Sequence, residues 1–447
     1  EQSRDGEGEE GNAGEKKNED GGGEGKDVFR QLLSAPLVHG GALQLFNQNR
    51  SAIAITKDCY QGDLKAVERH FEGNVNEVDA DDNSPVHWAA LKGHADVLEY
   101  LIQRGFPIAS KNKDGDTPLH WAASGGNEKV IQLLLNYNAD PWVVNKDGTT
   151  PLHLAAADGN HDAVRVLAKS AGPVLDSAIK IGKKKKMPKT KINSQNQDHD
   201  TPLHWAAASG NPKATKILLD HRAFVDAVNL KKITPLHISC SDKSFDVVRM
   251  LVEAKANVSL TTKDSEAPIH WACAGGHKSV AAYLLENGAS PNVANKFAET
   301  PMHFAVQRGD IGLVEMLHEH GADVHAATRM NDTCLHLAIT KSDKRMVARL
   351  LRMGASTNSK NSVDDSLLHT ACSIGDIGVV QLLVENDAEV NTTNNDQETP
   401  LHWASAAGHI TIVRFLIKCG ADTEAENVNG KTPRDLVSDI ETLKEFG

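Results

Sequence analysis

The sequence predicts an all-α solenoid: helix-turn-helix units stacked in single file and joined by β-hairpin-like loops. Ten histidines, each preceded by an apolar residue, carry this reading: His87, His120, His153, His204, His237, His270, His303, His336, His369 and His402. Every interval between them is 33 residues except His153 to His204, which is 51, or 33 plus 18 inserted residues. Whole columns recur with them: a leucine stands 14 residues after every one, from Leu101 to Leu416, and alanine or serine stands two after. Composition agrees, since 40% of the chain is hydrophobic but only 4% aromatic, so leucine and small side chains must fill the core. A unit of this size cannot cover its own apolar face, and units must therefore stack.

Within each unit a Thr-Pro pair starts a helix, because threonine caps and proline is tolerated at the first helical position. A small residue two after the histidine lets helices approach closely. A glycine six after it, as at Gly93, Gly126, Gly309 and Gly408, ends the helix in left-handed geometry. A second helix carries an apolar stripe such as Val130, Ile131, Leu134 and Leu135, and a turn with an extended stretch leads onward.

Along the chain, residues 1–27 hold ten acidic and four basic residues and no large apolar side chain, so they are expected to be disordered. Residues 28–50 read as capping helices broken at Pro36 and Gly40–Gly41. Residues 51–447 are the solenoid, about twelve repeats, the first degenerate and the last truncated at "TPRDLVSDIETLKEFG". The insertion occupies 173–190. Two units lack the proline ("TCLHLAITKSDKRM" and "SLLHTACSIG"), and the first of these also lacks the helix-ending glycine, which makes Thr333–Gly375 the expected weak stretch. Five residues before the histidine, glycine occurs at Gly115 and Gly148 but not in most units, so looser turns are expected there.

The motif T-P-L-H-x-A at a period of 33, written at Thr117–Ala122 and Thr201–Ala206, resembles the ankyrin-repeat family over about residues 52–447. The resemblance implies that the histidines hydrogen-bond to tie neighbouring loops. Ten imidazoles in a ladder do not converge as metal ligands or a catalytic centre must. The tryptophan that often follows the histidine shares its column with Leu154, Ile238, Phe304 and Leu337, which marks packing. Cys240, Cys273 and Cys372 share a column with alanine and read as small buried hydrophobes. No nucleophile elbow, HExxH, Walker or kinase signature occurs, and no cofactor is expected.

The resemblance further implies partner binding on the concave side, at hairpin tips and inner-helix ends, by a non-catalytic scaffold or adaptor. The array as the recognition arm of a larger enzyme or assembly stands as an alternative. Tip and helix-end positions vary strongly while the framework repeats. Leu230, Lys231, Ile233, Lys296, Phe297, Arg329 and Met330 on the tips and Arg308 on a helix end are the candidate partner-binding residues, with the centre of binding on the units between His237 and His336. Folding of these apolar side chains back onto neighbouring hairpins is the competing reading. Trp142, outside the helical columns, reads either as an exposed contact or as loop packing.

Lys183, Lys184, Lys185, Lys186, Lys189 and Lys191 make the insertion a local basic loop. It reads as a solvated loop, as a nuclear-import-like patch, or as a site for an acidic partner or anionic surface. A net charge of −12, and lysine without arginine or interleaved aromatics in the loop, exclude specific nucleic-acid readout as the expectation. No apolar run approaches the ~18 residues of a membrane span. Six scattered cysteines without a CxxC pair favour a reducing compartment, hence the cytoplasm, or the nucleus if the lysines direct import. The chain begins at Glu1, so a removed targeting segment stays open.

Overall fold

The computed structural model describes residues 54–171, 190–241, 244–438 and 440–446. The disordered tail and capping helices expected at 1–50, and the loop lysines from Lys183 to Lys189, lie outside the described residues. Within them the fold is eleven α-helix pairs, from Ala54–Gln61 with Leu64–His70 to Pro400–Ala406 with Ile410–Lys418. Three short helical segments, Pro433–Leu436, Ile440–Leu443 and Lys444–Phe446, end the array. Each inner helix, such as Pro118–Gly125, packs on the inner helices before and after it, and each outer helix, such as Glu128–Asn136, does the same in its own row. The described residues contain no strand, only two isolated antiparallel bridges, Ala327 with Thr333 and Lys360 with Ser366.

The helix starts follow the expected signals with one refinement. Thr117 is the N-cap, Pro118 the first helical residue, and His120 completes a capping box in place of the usual glutamate. The Thr117 backbone N–H and hydroxyl both lie within bonding distance of His120 Nδ1, at 3.1 and 3.0 Å. Because Nδ1 accepts from an N–H, the neutral ring carries its proton on Nε2. That Nε2–H donates to the Thr149 carbonyl of the next unit at 3.0 Å. The same arrangement links His87 to Asp116, His204 to Ile233, His237 to Glu266, His270 to Glu299, His369 to Glu398 and His402 to Lys431, at 2.8–3.2 Å. Each imidazole is therefore both a helix cap and a rung to the following hairpin, as the resemblance implied. The ring also meets an aromatic of the next unit edge-on, as in His87 with Trp121, His237 with Trp271 and His369 with Trp403, at 5.5–5.6 Å between centroids. That contact accounts for the tryptophan column.

The insertion does not interrupt the stack. His153 Nε2 donates to the Asp200 carbonyl at 3.0 Å, and Asn211 Nδ2 to the Gly159 carbonyl at 2.8 Å, across the extra residues. The chain re-enters at the short helix Lys191–Asn193, where Ile192 is buried. The six cysteines are free, and Cys59, Cys240, Cys273, Cys334 and Cys372 are buried. Burial raises the Cys240, Cys273 and Cys372 thiols well above their ordinary range, which suits inert core residues.

Two expectations need revision. The turns without glycine are not looser: Asp82, His199, Lys232, Ser265, Ala298, Asn331, Asp364 and Gln397 all take φ between 58° and 66°, in the same left-handed region as Gly115 and Gly148. The stack's packing imposes that backbone, so the absent glycines leave strain rather than slack. The expected weak stretch has a specific form. His336 is the buried repeat histidine whose Nε2 finds no partner among the described residues, and His303 Nε2 faces the Asp332 carbonyl without a well-aligned bond. They face the two hairpins that carry the bridges, and those hairpins lead into the units lacking proline. Cys334 and Leu367, in proline's place, retain the backbone N–H that an antiparallel bridge needs and that proline would remove. Ser342 stands where other units have the helix-ending glycine and is held at φ 53°.

These features set expected outcomes. His204→Ala strands the Thr201 N–H and takes one of two donors from the Ile233 carbonyl, which keeps the Asn229 N–H, at a cost of about 2 kcal/mol, whereas His336→Ala loses only the cap and costs about 1 kcal/mol less. Hydrogen exchange at the amides of each following hairpin measures the difference. Ser342→Gly relieves the left-handed strain and should add about 1 kcal/mol, read from urea melts. Burial lowers His87, His153, His237 and His270 from 6.5 to about 4. The unfolded chain then binds protons below pH 6.5 that the folded array refuses until about pH 4, so stability present above pH 6.5 is lost across that window. Urea midpoints measured from pH 7.5 to 4.5 should fall, with uptake of more than one proton on unfolding.

Candidate functional site

The hairpins are built by a second repeating device. An asparagine eight residues before the histidine, such as Asn295, accepts through Oδ1 from the N–H groups two and four residues on, Phe297 and Glu299, both at 2.9 Å. Asn112, Asn145, Asn361 and Asn394 close their turns the same way. Successive hairpins are then tied shoulder to shoulder by backbone bonds at the tips. Lys146 N–H donates to the Asp114 carbonyl, Lys296 to Asp264, Arg329 to Phe297 and Ser362 to Met330, at 2.8–2.9 Å. The backbone positions of the tips are thus set by the framework, and their side chains are free to differ.

One tip column, six residues before the histidine, reads Asp81, Asp114, Asp147, Asp198, Lys231, Asp264, Phe297, Met330, Val363 and Asp396. Aspartate dominates, and three consecutive units replace it with large apolar residues. Phe297, Met330 and Val363 are 52%, 61% and 52% exposed. Leaving three neighbouring apolar tips in water is unfavourable for an isolated chain and is the usual mark of a contact surface. Ile374, on the adjoining inner-helix end, is also exposed.

The candidate residues fall into three groups. Phe297, Met330, Arg329, Lys296 and Arg308 share this region, and all are exposed. Lys296 Nζ lies 2.7 Å from Asp264 Oδ1 and sits over the Phe297 ring at 4.8 Å. Arg308 Nη1 donates to the Ala274 carbonyl at 3.2 Å. Leu230 and Lys231 are exposed but stand apart, since Asp264 separates them from Phe297 along the row. Ile233 does not belong to the surface: it is 2% exposed, and its carbonyl receives the His204 rung. Four residues before the histidine the side chain turns inward, so an apolar residue there packs instead of projecting. Trp142 is half-buried against the core, with Lys191 Nζ 6.0 Å from its ring centroid, where the chain returns from the insertion. It is part of the framework there rather than of the tip row.

Val363 and Ile374 lie beyond the units between His237 and His336, on which the sequence centres partner binding. Reading the single tip column across all ten units finds Val363 from sequence alone. Ile374 departs likewise from a column of small or charged residues, but its exposure beside the tips is set by the structure.

The carboxylates of these units are engaged internally. Glu299 accepts from Asn295 Nδ2 at 2.9 Å and from Gln307 Nε2 at 3.2 Å, and burial raises the Asp332 carboxyl above its ordinary value. No three His, Cys, Asp or Glu side chains gather as a metal-holding group among the described residues. No described helix is long and apolar enough to cross a membrane.

Comparison with known proteins agrees with this architecture. A family model described as "Ankyrin repeats (3 copies)" matches overlapping stretches that together run from residue 54 to residue 427. Ankyrin repeat domain-containing protein 63 of Mus musculus is 35% identical over 78 residues, covering 17% of this chain and 20% of that protein. Its Homo sapiens counterpart is 38% identical over 69 residues, covering 15% of this chain and 18% of that protein. The matched stretch is thus only about a fifth of those relatives' length. Among solved structures, the ankyrin repeat domain of Bcl-3 aligns over 48% of this chain and 98% of that domain, at 25% identity and a TM-score of 0.45. The repeat spacing, the histidine rungs and the family match together assign the chain to the ankyrin-repeat family.

Proposed function

We propose that this protein is a non-catalytic interaction scaffold, acting as an adaptor, that binds a partner protein through its hairpin tips and the adjoining inner-helix ends. Ankyrin repeats are in general protein–protein interaction modules, and the family assignment supports this much directly. The single observation that supports the placement is the exposed run Phe297, Met330 and Val363 on three successive tips. A framework held by repeated hydrogen bonds presents these side chains with little loss of freedom on binding, which favours affinity.

The test is affinity capture with the intact chain and with a Phe297→Ser/Met330→Ser variant whose thermal melt matches the parent. A partner retained by the parent should bind the variant roughly 10- to 100-fold more weakly, as expected for truncating central apolar contacts. Equal retention by both proteins would place binding elsewhere on the array.

A further inference from the structure

The apolar tips do not stand alone. Arg329 lies next to Met330 on the hairpin, and Arg308 and Lys341 occupy corresponding ends of two successive inner helices. Arg308 bonds to a backbone carbonyl, and so does Lys341, whose Nζ donates to the Gln307 carbonyl. A carbonyl oxygen orients a cation without neutralising it. None of the three has a carboxylate within ion-pair distance among the described residues, whereas Lys296 beside them is paired with Asp264. Of the nearby acids, Glu299 is engaged by Asn295 and Gln307, and Asp332 is half-buried and forms no ion pair among the described residues. The three apolar tips are therefore bordered by three cations that form no ion pair among the described residues. The tip column of the first four units is the opposite, aspartate at each position.

Resting on the interaction reading above, we infer that this surface receives an acidic, extended segment of the partner protein that presents an apolar side chain at every third residue. Charge complementarity selects the acidic character, because burying Arg308, Arg329 and Lys341 against a neutral partner would leave their charge uncompensated. Spacing selects the period. Tips one repeat apart lie roughly 10 Å from each other, the separation of packed helices. A polyproline-II segment has three residues per turn and rises ~3.1 Å per residue, so side chains i, i+3 and i+6 point the same way about 9 Å apart. A β-strand at the same spacing would turn alternate side chains away. His303 and His336 lie at the interfaces between the Phe297, Met330 and Val363 units, where the tip-to-tip backbone bonds nevertheless hold the three tips in a row. The acidic residues 1–27 of this chain are not the occupant, since they contain no large apolar side chain.

The experiment is fluorescence polarisation of the full chain with a labelled peptide of three Leu-Pro-Glu triplets, its Leu-Pro-Lys counterpart, and a scrambled acidic peptide. The expected result is saturable binding of the first alone, weakened by salt, and at least tenfold weaker binding to an Arg308→Glu/Arg329→Glu/Lys341→Glu variant that keeps the parental melt. Equal binding of the lysine peptide, equal binding of the scrambled peptide, or no effect of charge reversal overturns the inference. The charge-reversed protein is also run in the capture assay. If capture is lost with Phe297→Ser/Met330→Ser but unchanged by charge reversal, the tips bind a partner and the acidic assignment is wrong. If neither variant alters capture of a partner that the parent retains, binding lies elsewhere on the array, and both the placement at these tips and the acidic assignment fall; if the parent captures no partner, the interaction reading itself falls.

Discussion

Everything in this array depends on a neutral imidazole whose two nitrogens serve different units. Nδ1 accepts from the capping threonine's N–H and so holds the start of its own helix. Nε2–H reaches the next hairpin's carbonyl, as His120 does to Thr149 at 3.0 Å. The cap is lost in a charged ring, since protonation of Nδ1 removes the acceptor, while the Nε2–H donor to the carbonyl remains. Burial enforces the neutral form from the other side, by making charge costly where each ring is covered by neighbouring units. Local capping and inter-unit cohesion are therefore one chemical event repeated along the chain, and a helix pair has its histidine satisfied only when the following pair is in place.

That dependence explains why specificity can vary without disturbing the stack. Asparagine-closed turns and tip-to-tip backbone bonds use main-chain atoms and one recurring side chain. The two or three outermost side chains of each hairpin contribute nothing to them. Aspartate can be exchanged there for lysine, phenylalanine or methionine without changing the turn, as Ala298 and Asn331 keep left-handed φ beside Phe297 and Met330. Of the units that carry the apolar tips, the Met330 unit has both an unbonded rung and no proline, the Phe297 unit keeps Pro301, and the Val363 unit lacks proline but completes its rung from His369 to Glu398.

Most of the fold was legible in the sequence, because a stacked repeat writes the same local rule many times. The period of 33, the Thr-Pro starts, the glycine ends and the leucine column each map onto an element, and the insertion appears as a displaced register that leaves the flanking units stacked. The exposed candidates Phe297 and Met330 were legible for the same reason, as departures from a column of aspartates. Ile233 was misread because sequence distance from the histidine does not show which way a hairpin side chain points. Only two residues separate its position from the tip, yet one projects and the other packs.

The sequence by itself determined the unit, its repetition and the residues that close each helix and turn. These are local, depending on capping groups, backbone freedom and apolar periodicity within about 33 residues. The tertiary structure alone decided which imidazoles complete their rungs, which non-glycine residues are held left-handed, and which cations lack a carboxylate. Those outcomes depend on distances of a few tenths of an ångström between units that are far apart in the chain, and on burial created by both neighbours at once.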